Sequence, residues 1–258
     1  MKGLQKHSHK DREKIIKEII PLIKKKFGKK LIALAAQASF VRNEDFDYSD
    51  LELIAFVRER PRGKNWTMGK IRNGLLVELI WATNDSYIKT VKEPNPDWFL
   101  SGSDKLLPLI NKPFINRLNN YKVKNLKNKC YRQIIHYFGD LQESTAKVLN
   151  AIKKKNKLGI PLLLFDMCRY MLIILSFLNQ EPYTTFAKSV EEAQKFKKKP
   201  PHFNDLLQIV IEGEYQNFNK LQKIVEQVFT EFEDIFDELG FDLYYDNIDP
   251  NKPMKRRV

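Results

Sequence analysis

Five acidic residues, Glu44, Asp45, Asp47, Asp50 and Glu52, fall within nine positions of a chain whose net charge is +13. Carboxylates crowded in this way repel one another, so the cluster calls for a positive partner. Asp50 and Glu52 stand two apart in "YSDLEL" (48–53), where an apolar run begins. Side chains at i and i+2 of a strand point to one face, so this pair projects side by side from a strand end. Glu78, inside the apolar run "LLVELIWAT" (75–83), joins the same face if its strand is a neighbour. Three carboxylates at one sheet edge suit magnesium, a hard cation that takes oxygen ligands. Two such ions can clamp the attacking and leaving oxygens of a phosphoryl transfer. A second reading stays open, in which the acidic loop is simply solvated. Glu78 alone is open three ways, as a ligand, a substrate contact or a partly buried strand residue.

The elements that must position these residues differ between the two halves of the chain. Before about residue 118, "LIALAAQ" (31–37), "LELIAFV" (51–57) and "LLVELIWAT" (75–83) are apolar runs of strand length bounded by polar residues or glycine. Ahead of them, Ile15, Ile16, Ile19, Ile20 and Ile23 recur at helical spacing around Pro21, where a kink is expected. A helix followed by strands predicts a compact α/β or α+β domain over residues 1–118. From 119 to 258 the periodicity is helical, with helices expected at about 120–153, 160–179, 184–197, 203–212 and 217–239. Gly240 stands where a helix C-terminal cap belongs. This half predicts a helical bundle.

Charge and composition narrow the classes of function. The excess of Lys and Arg lies mainly in residues 1–118, 23 against 14 Asp and Glu, and concentrates in "KKKFGKK" (24–30) and "RERPRGK" (58–64). Such runs are either solvated faces or contacts for phosphate or nucleic acid. Cys130 and Cys168 sit in apolar helical contexts without metal-ligand spacing, which predicts buried thiols in a reducing compartment. The N-terminal "MKGLQKHSHKDREK" has no apolar stretch behind its charges, so no signal peptide is expected. The apolar run Leu158 to Leu178 carries Pro161, Asp166 and Arg169, which reads as a buried bundle helix rather than a membrane span. A cytoplasmic protein without membrane attachment is expected. The histidines are given no role: His7, His9 and His202 fall in polar or terminal stretches, and His136 lies one helical turn from Asp140.

Ser39, between the first strand and a polar loop, makes the carboxylate pattern more specific. A small residue and a serine after a strand, then D-x-E opening the next strand, resembles the nucleotidyltransferase superfamily signature. The likeness extends to its kanamycin nucleotidyltransferase group. "ASFVR" (38–42) looks like that group's phosphate turn with its basic residue, and "YSDLEL" like its metal strand. "NWTMG" (65–69), "DWFLSGS" (97–103), "LQESTAK" (141–147) and "EPYTTFAKSVEEAQK" (181–195) follow in the same order. The resemblance implies an α+β protein, an N-terminal mixed sheet with flanking helices followed by a C-terminal helical bundle.

It also implies magnesium and ATP or another nucleoside triphosphate. Asp50 and Glu52 would be metal ligands, with Glu78 a candidate third. Ser39 and Arg42 would bind the nucleotide phosphates, Lys147 would neutralise phosphate charge, and Glu143 would be the general base. A homodimer sharing its sites between subunits is implied too. The transfer would deliver a nucleoside monophosphate to a hydroxyl acceptor, an aminoglycoside-like small molecule being one class; RNA or protein acceptors and a non-catalytic nucleotide-binding relative are the alternatives. The chain departs from the family at Ala38, where the family has glycine, a residue with freer backbone and no side chain to crowd a phosphate. A net charge of +13 gives a polycationic acceptor no long-range attraction, so a local acidic pocket would have to draw on Asp45, Asp47, Glu78 or Glu143. On spacing alone, Glu143 and Lys147, at i and i+4, equally describe an ordinary surface ion pair.

Overall fold

A computed structural model describes residues 1, 3–59 and 67–241. The chain is α+β and forms two compact units, Met1–Lys124 and Asn125–Val258. The basic loop at 60–64 and the first two residues of "NWTMG" lie outside the described residues.

The first unit opens with α1 (His9–Phe27), capped by Ser8, whose side chain accepts from the Asp11 amide while Asp11 reaches back. Pro21 lies inside this helix. Then come β1 (Leu31–Ala36), the short helix α2 (Ala38–Arg42), β2 (Leu51–Val57), β3 (Thr67–Arg72) and β4 (Leu75–Ala82). Short helices α3 (Asn84–Tyr87) and α4 (Trp98–Ser101) flank a π-helical turn at Ile88–Lys92, and β5 (Leu107–Ile110) and α5 (Lys112–Asn119) close the unit. The strands form one mixed sheet in the order β3-β4-β2-β1-β5. Among the described residues only β2 and β4 pair in parallel.

Both faces of this sheet are covered. Ile15, Ile16 and Ile23 of α1 pack on Leu34, Ala36, Leu51, Leu53, Leu75 and Leu79. On the opposite face Ala33, Ala35, Ile54, Phe56 and Ala82 meet Tyr87, Leu106, Phe114, Ile115 and Leu118. Central β2 is therefore apolar on successive positions, not alternate ones.

Strands β3 and β5 are absent from the sequence reading. Both are edge strands: β3 is polar and contains Gly69, and β5 is four residues long with Pro108. Their hydrophobic signal is correspondingly weak. One available cue was Asn73-Gly74, the β3–β4 turn, with φ of 51° and 75°, the backbone that a two-residue hairpin demands.

In the second unit α6 (Leu126–Lys153) and α7 (Ile160–Asn179) pack along each other, joined by α8 (Ser189–Gln194), α9 (Phe203–Glu212) and α10 (Phe218–Glu238). The helix expected over about 120–153 is α6, which starts later, at Leu126, and ends at Lys153. That expected over 184–197 is a 3-10 turn at Phe186–Lys188 followed by α8. Gly240 takes φ 76° after α10, as a left-handed cap should. Helix α7 is long and apolar enough to cross a membrane by length and composition, yet 61% of its apolar window is buried within the protein. Cys130 and Cys168 are free and buried, and burial pushes each thiol up to about 12.

Candidate active site

Parity along the strands places Glu52, Ile54 and Phe56 on one face of β2, and Glu78, Ile80 and Ala82 on one face of β4. Register pairs Glu52, near the start of β2, directly with Glu78, midway along β4, on the face covered by Tyr87 and Leu106. β1 is antiparallel to β2 and ends beside its start, which brings the α2 turn there. The Gln37 amide donates to the Glu52 carbonyl at 3.1 Å, and Gln37 Nε2 donates to Glu52 Oε2 at 2.8 Å. Burial raises the Glu52 pKa; the Gln37 hydrogen bond opposes it, while the charges of Asp50, Asp104 and Glu78 add to the rise.

The protein supplies its own cations to three of the five clustered acids. Asp45 is buried and pairs with Arg12 Nη1 at 3.1 Å and His9 Nδ1 at 2.7 Å. Arg12 is fully buried, and its other donors go to the carbonyls of His7, Phe46 and Ser49. Asp47 pairs with Lys6 at 3.1 Å, and Glu44 with Arg42 at 3.0 Å. Asp45 is thus turned inward and is no part of an acidic acceptor pocket. His9, given no role by sequence, holds Asp45 and stacks on Phe40 of α2 at 4.4 Å. Asp50, Glu52 and Glu78 have no cationic partner among the described residues.

Ser39 is the second residue of α2, and its carbonyl accepts from the Glu44 amide at 3.0 Å. Ala38, just before it, has φ 61°. The position where the resembled family has glycine therefore takes the left-handed backbone that glycine adopts freely and alanine resists.

Arg42 bonds through Nε to Glu44 and through Nη1 to Asp104 Oδ1, the latter at 3.2 Å. Sequence reasoning missed Asp104. It immediately follows "DWFLSGS", which forms α4 and the loop after it. Burial raises the Asp104 carboxyl against the opposing pull of Arg42 and Lys92.

Glu143 and Lys147 lie on α6, in the second unit, and form an i,i+4 ion pair at 2.8 Å. Their side chains are 66% and 54% exposed. The Glu143 hydrogen bond is the largest cause of a raised Lys147 pKa.

Among the described residues no group of three or more His, Cys, Asp or Glu side chains is placed to hold a metal ion. Magnesium does not require one, since it keeps several waters and uses one or two carboxylates together with substrate phosphates. Glu52, with Asp50 or Glu78, offers oxygen donors of the kind magnesium takes, and none of the three has a cationic partner among the described residues.

Residues 122–242 match the KNTase C-terminal domain family. Two relatives named aminoglycoside nucleotidyltransferase (4'), from Staphylococcus aureus and a Bacillus species, are each 21% identical over 240 residues, spanning 91% of this chain and 93% of theirs. The likeness is to the nucleotidyltransferase superfamily, above all its kanamycin group. A solved nucleotidyltransferase-like protein from Exiguobacterium sibiricum is 12% identical, with a TM-score of 0.48, covering 87% of this chain and 79% of its own. In this nucleotidyltransferase-like chain the family match, from residue 122, falls almost entirely in the second unit, which carries Glu143 and Lys147.

Proposed function

We propose that the chain is a magnesium-dependent nucleotidyltransferase that moves a nucleoside monophosphate from ATP, or another nucleoside triphosphate, to a hydroxyl on an aminoglycoside-like small molecule. The observation that carries this reading is the set of three carboxylates, Asp50, Glu52 and Glu78, that no cation of the described chain neutralises. The names of the relatives support nucleotidyl transfer in general, and the aminoglycoside acceptor enters only through them and through the sequence resemblance.

In this reading Asp50 and Glu52 hold magnesium, with Glu78 beside them, and the metal supplies charge neutralisation to the phosphates. Ser39 hydrogen-bonds the phosphates from the α2 turn, and Arg42 offers a guanidinium beside them. Glu143 takes the proton of the acceptor hydroxyl as its oxygen attacks the α-phosphorus, and pyrophosphate leaves. Lys147 stands one helical turn from Glu143 and neutralises phosphate charge. A homodimer that brings one subunit's Glu143 to the other's carboxylates, in the cytoplasm, completes the reading.

Labelled ATP with magnesium, offered to aminoglycosides, RNA and proteins, tests it. Label should pass to an aminoglycoside-like acceptor. Transfer to RNA would favour the basic surface as the substrate guide, and no transfer or nucleotide binding would sink the reading.

A further inference from the structure

A relay of hydrogen bonds leads from the "DWFLSGS" segment to the α2 turn. Trp98, 4% exposed, donates from Nε1 to the Lys92 carbonyl at 3.1 Å. Lys92, 8% exposed at the end of the π-helical turn, donates from Nζ to the main-chain carbonyl of Asp104. The Asp104 side chain then accepts from Arg42 Nη1. Gly102 lets the loop fold against the indole, since a Cβ there would lie 2.5 Å from Trp98 Nε1. Burying a lysine ammonium is costly, and burial does lower the Lys92 pKa. Here a buried ammonium is used to fix one peptide of a loop. Beneath it, the Tyr87 hydroxyl is buried without a hydrogen-bond partner among the described residues.

We propose that Asp104 is a positioning residue for the phosphate site: fastened by Lys92 and Trp98, it holds Arg42 on the turn that carries Ser39. Ser39 and Arg42 are i,i+3 on α2 and so share a side of it. Clamped by Glu44 at Nε and Asp104 at Nη1, the guanidinium loses little further freedom when a phosphate arrives. The inference rests on the nucleotidyltransferase reading and deepens it.

The sign of the effect separates positioning from plain electrostatics. Removing a carboxylate beside a triphosphate site should tighten anion binding if charge alone matters. Positioning predicts the reverse: calorimetry of Mg·ATP with the full chain should show Asp104→Ala weakened about tenfold or more, the scale of one hydrogen bond to a charged group. Asp104→Asn, near-isosteric and keeping an acceptor oxygen, should recover part of that loss. In an Arg42→Ala background, Asp104→Ala should add little. Unchanged or tighter binding in Asp104→Ala, or full additivity with Arg42→Ala, overturns the role of Asp104 and leaves the nucleotidyltransferase reading standing. A wild-type chain that binds no Mg·ATP overturns both.

Discussion

Glu52 on β2 stands directly opposite Glu78 on β4 across the parallel pair, with Asp50 and Asp104 adding their charge. Like charges facing each other across strands destabilise a sheet. In the apo protein this pair is a local weakness, which a cation would convert into a binding site.

A pH dependence follows. The Glu52 carboxyl is raised by burial and like charge, so the folded state holds its proton to higher pH than the unfolded chain. The resulting cost is absent below the ordinary carboxylate pKa and fully present once pH exceeds the folded value. Glu78→Gln should therefore stabilise the apo protein at pH 7 by ~0.2–1 kcal/mol, the scale of one cross-strand pair. Urea unfolding should show that gain shrinking on acidification through the carboxylate range. An equal gain at neutral and acid pH would mean that the two carboxylates are not coupled.

Asp50→Asn removes a negative charge from the same edge. It should leave the apo melting temperature unchanged or slightly higher, while abolishing the added shift that magnesium and ATP produce together in the parent chain by mass action. A full ligand-induced shift in Asp50→Asn would remove Asp50 from the metal site.

The Ala38 backbone, at φ 61°, costs about 1–2 kcal/mol for a residue with a Cβ. Glycine adds about 0.4–1 kcal/mol of unfolded-state entropy. Ala38→Gly should thus stabilise by up to about 1.6 kcal/mol and tighten nucleotide binding by opening the turn. Ala38→Val should destabilise. Thermal melts of the three chains check the order, and a less stable glycine variant would contradict the left-handed turn.

Arg12 is the structural counter-ion of the acidic loop. Arg12→Met leaves Asp45 buried beside His9 alone and should cost about 3–5 kcal/mol, the penalty of orphaning a buried charge. Asp45→Asn in the same chain should restore part of it. Denaturant midpoints of the two variants decide the matter.

Glu143 and Lys147 are exposed, so Glu143→Gln should leave the melting temperature unmoved and remove transferase activity. If the sites are shared between subunits, co-refolding inactive Asp50→Asn with inactive Glu143→Gln should return about a quarter of parent activity, because half the dimers are mixed and each mixed dimer has one intact site. Background activity in verified mixed dimers would place Glu143 within its own chain's chemistry or outside it.

Local rules carried much of this protein. Period-2 and period-3.6 patterns marked β1, β2, β4, α1 and most of the helical half, because those elements bury continuous apolar stripes. The i,i+4 spacing of Glu143 and Lys147 was legible for the same reason, since geometry within one element depends on sequence separation alone; Asp50, expected to open the strand with Glu52, lies just before β2, which begins at Leu51. Only tertiary structure decided which acids keep their charge uncompensated. Asp45 meets Arg12 across 33 residues and Arg42 meets Asp104 across 62, and no periodicity spans such gaps. The pairing of Glu52 with Glu78 likewise depends on strand order and register, which the packing of two covered sheet faces sets. The left-handed backbone at Ala38 is the converse case: the residue type argues against it, and it occurs at the end of β1, next to Gln37, which is fastened to Glu52 on β2.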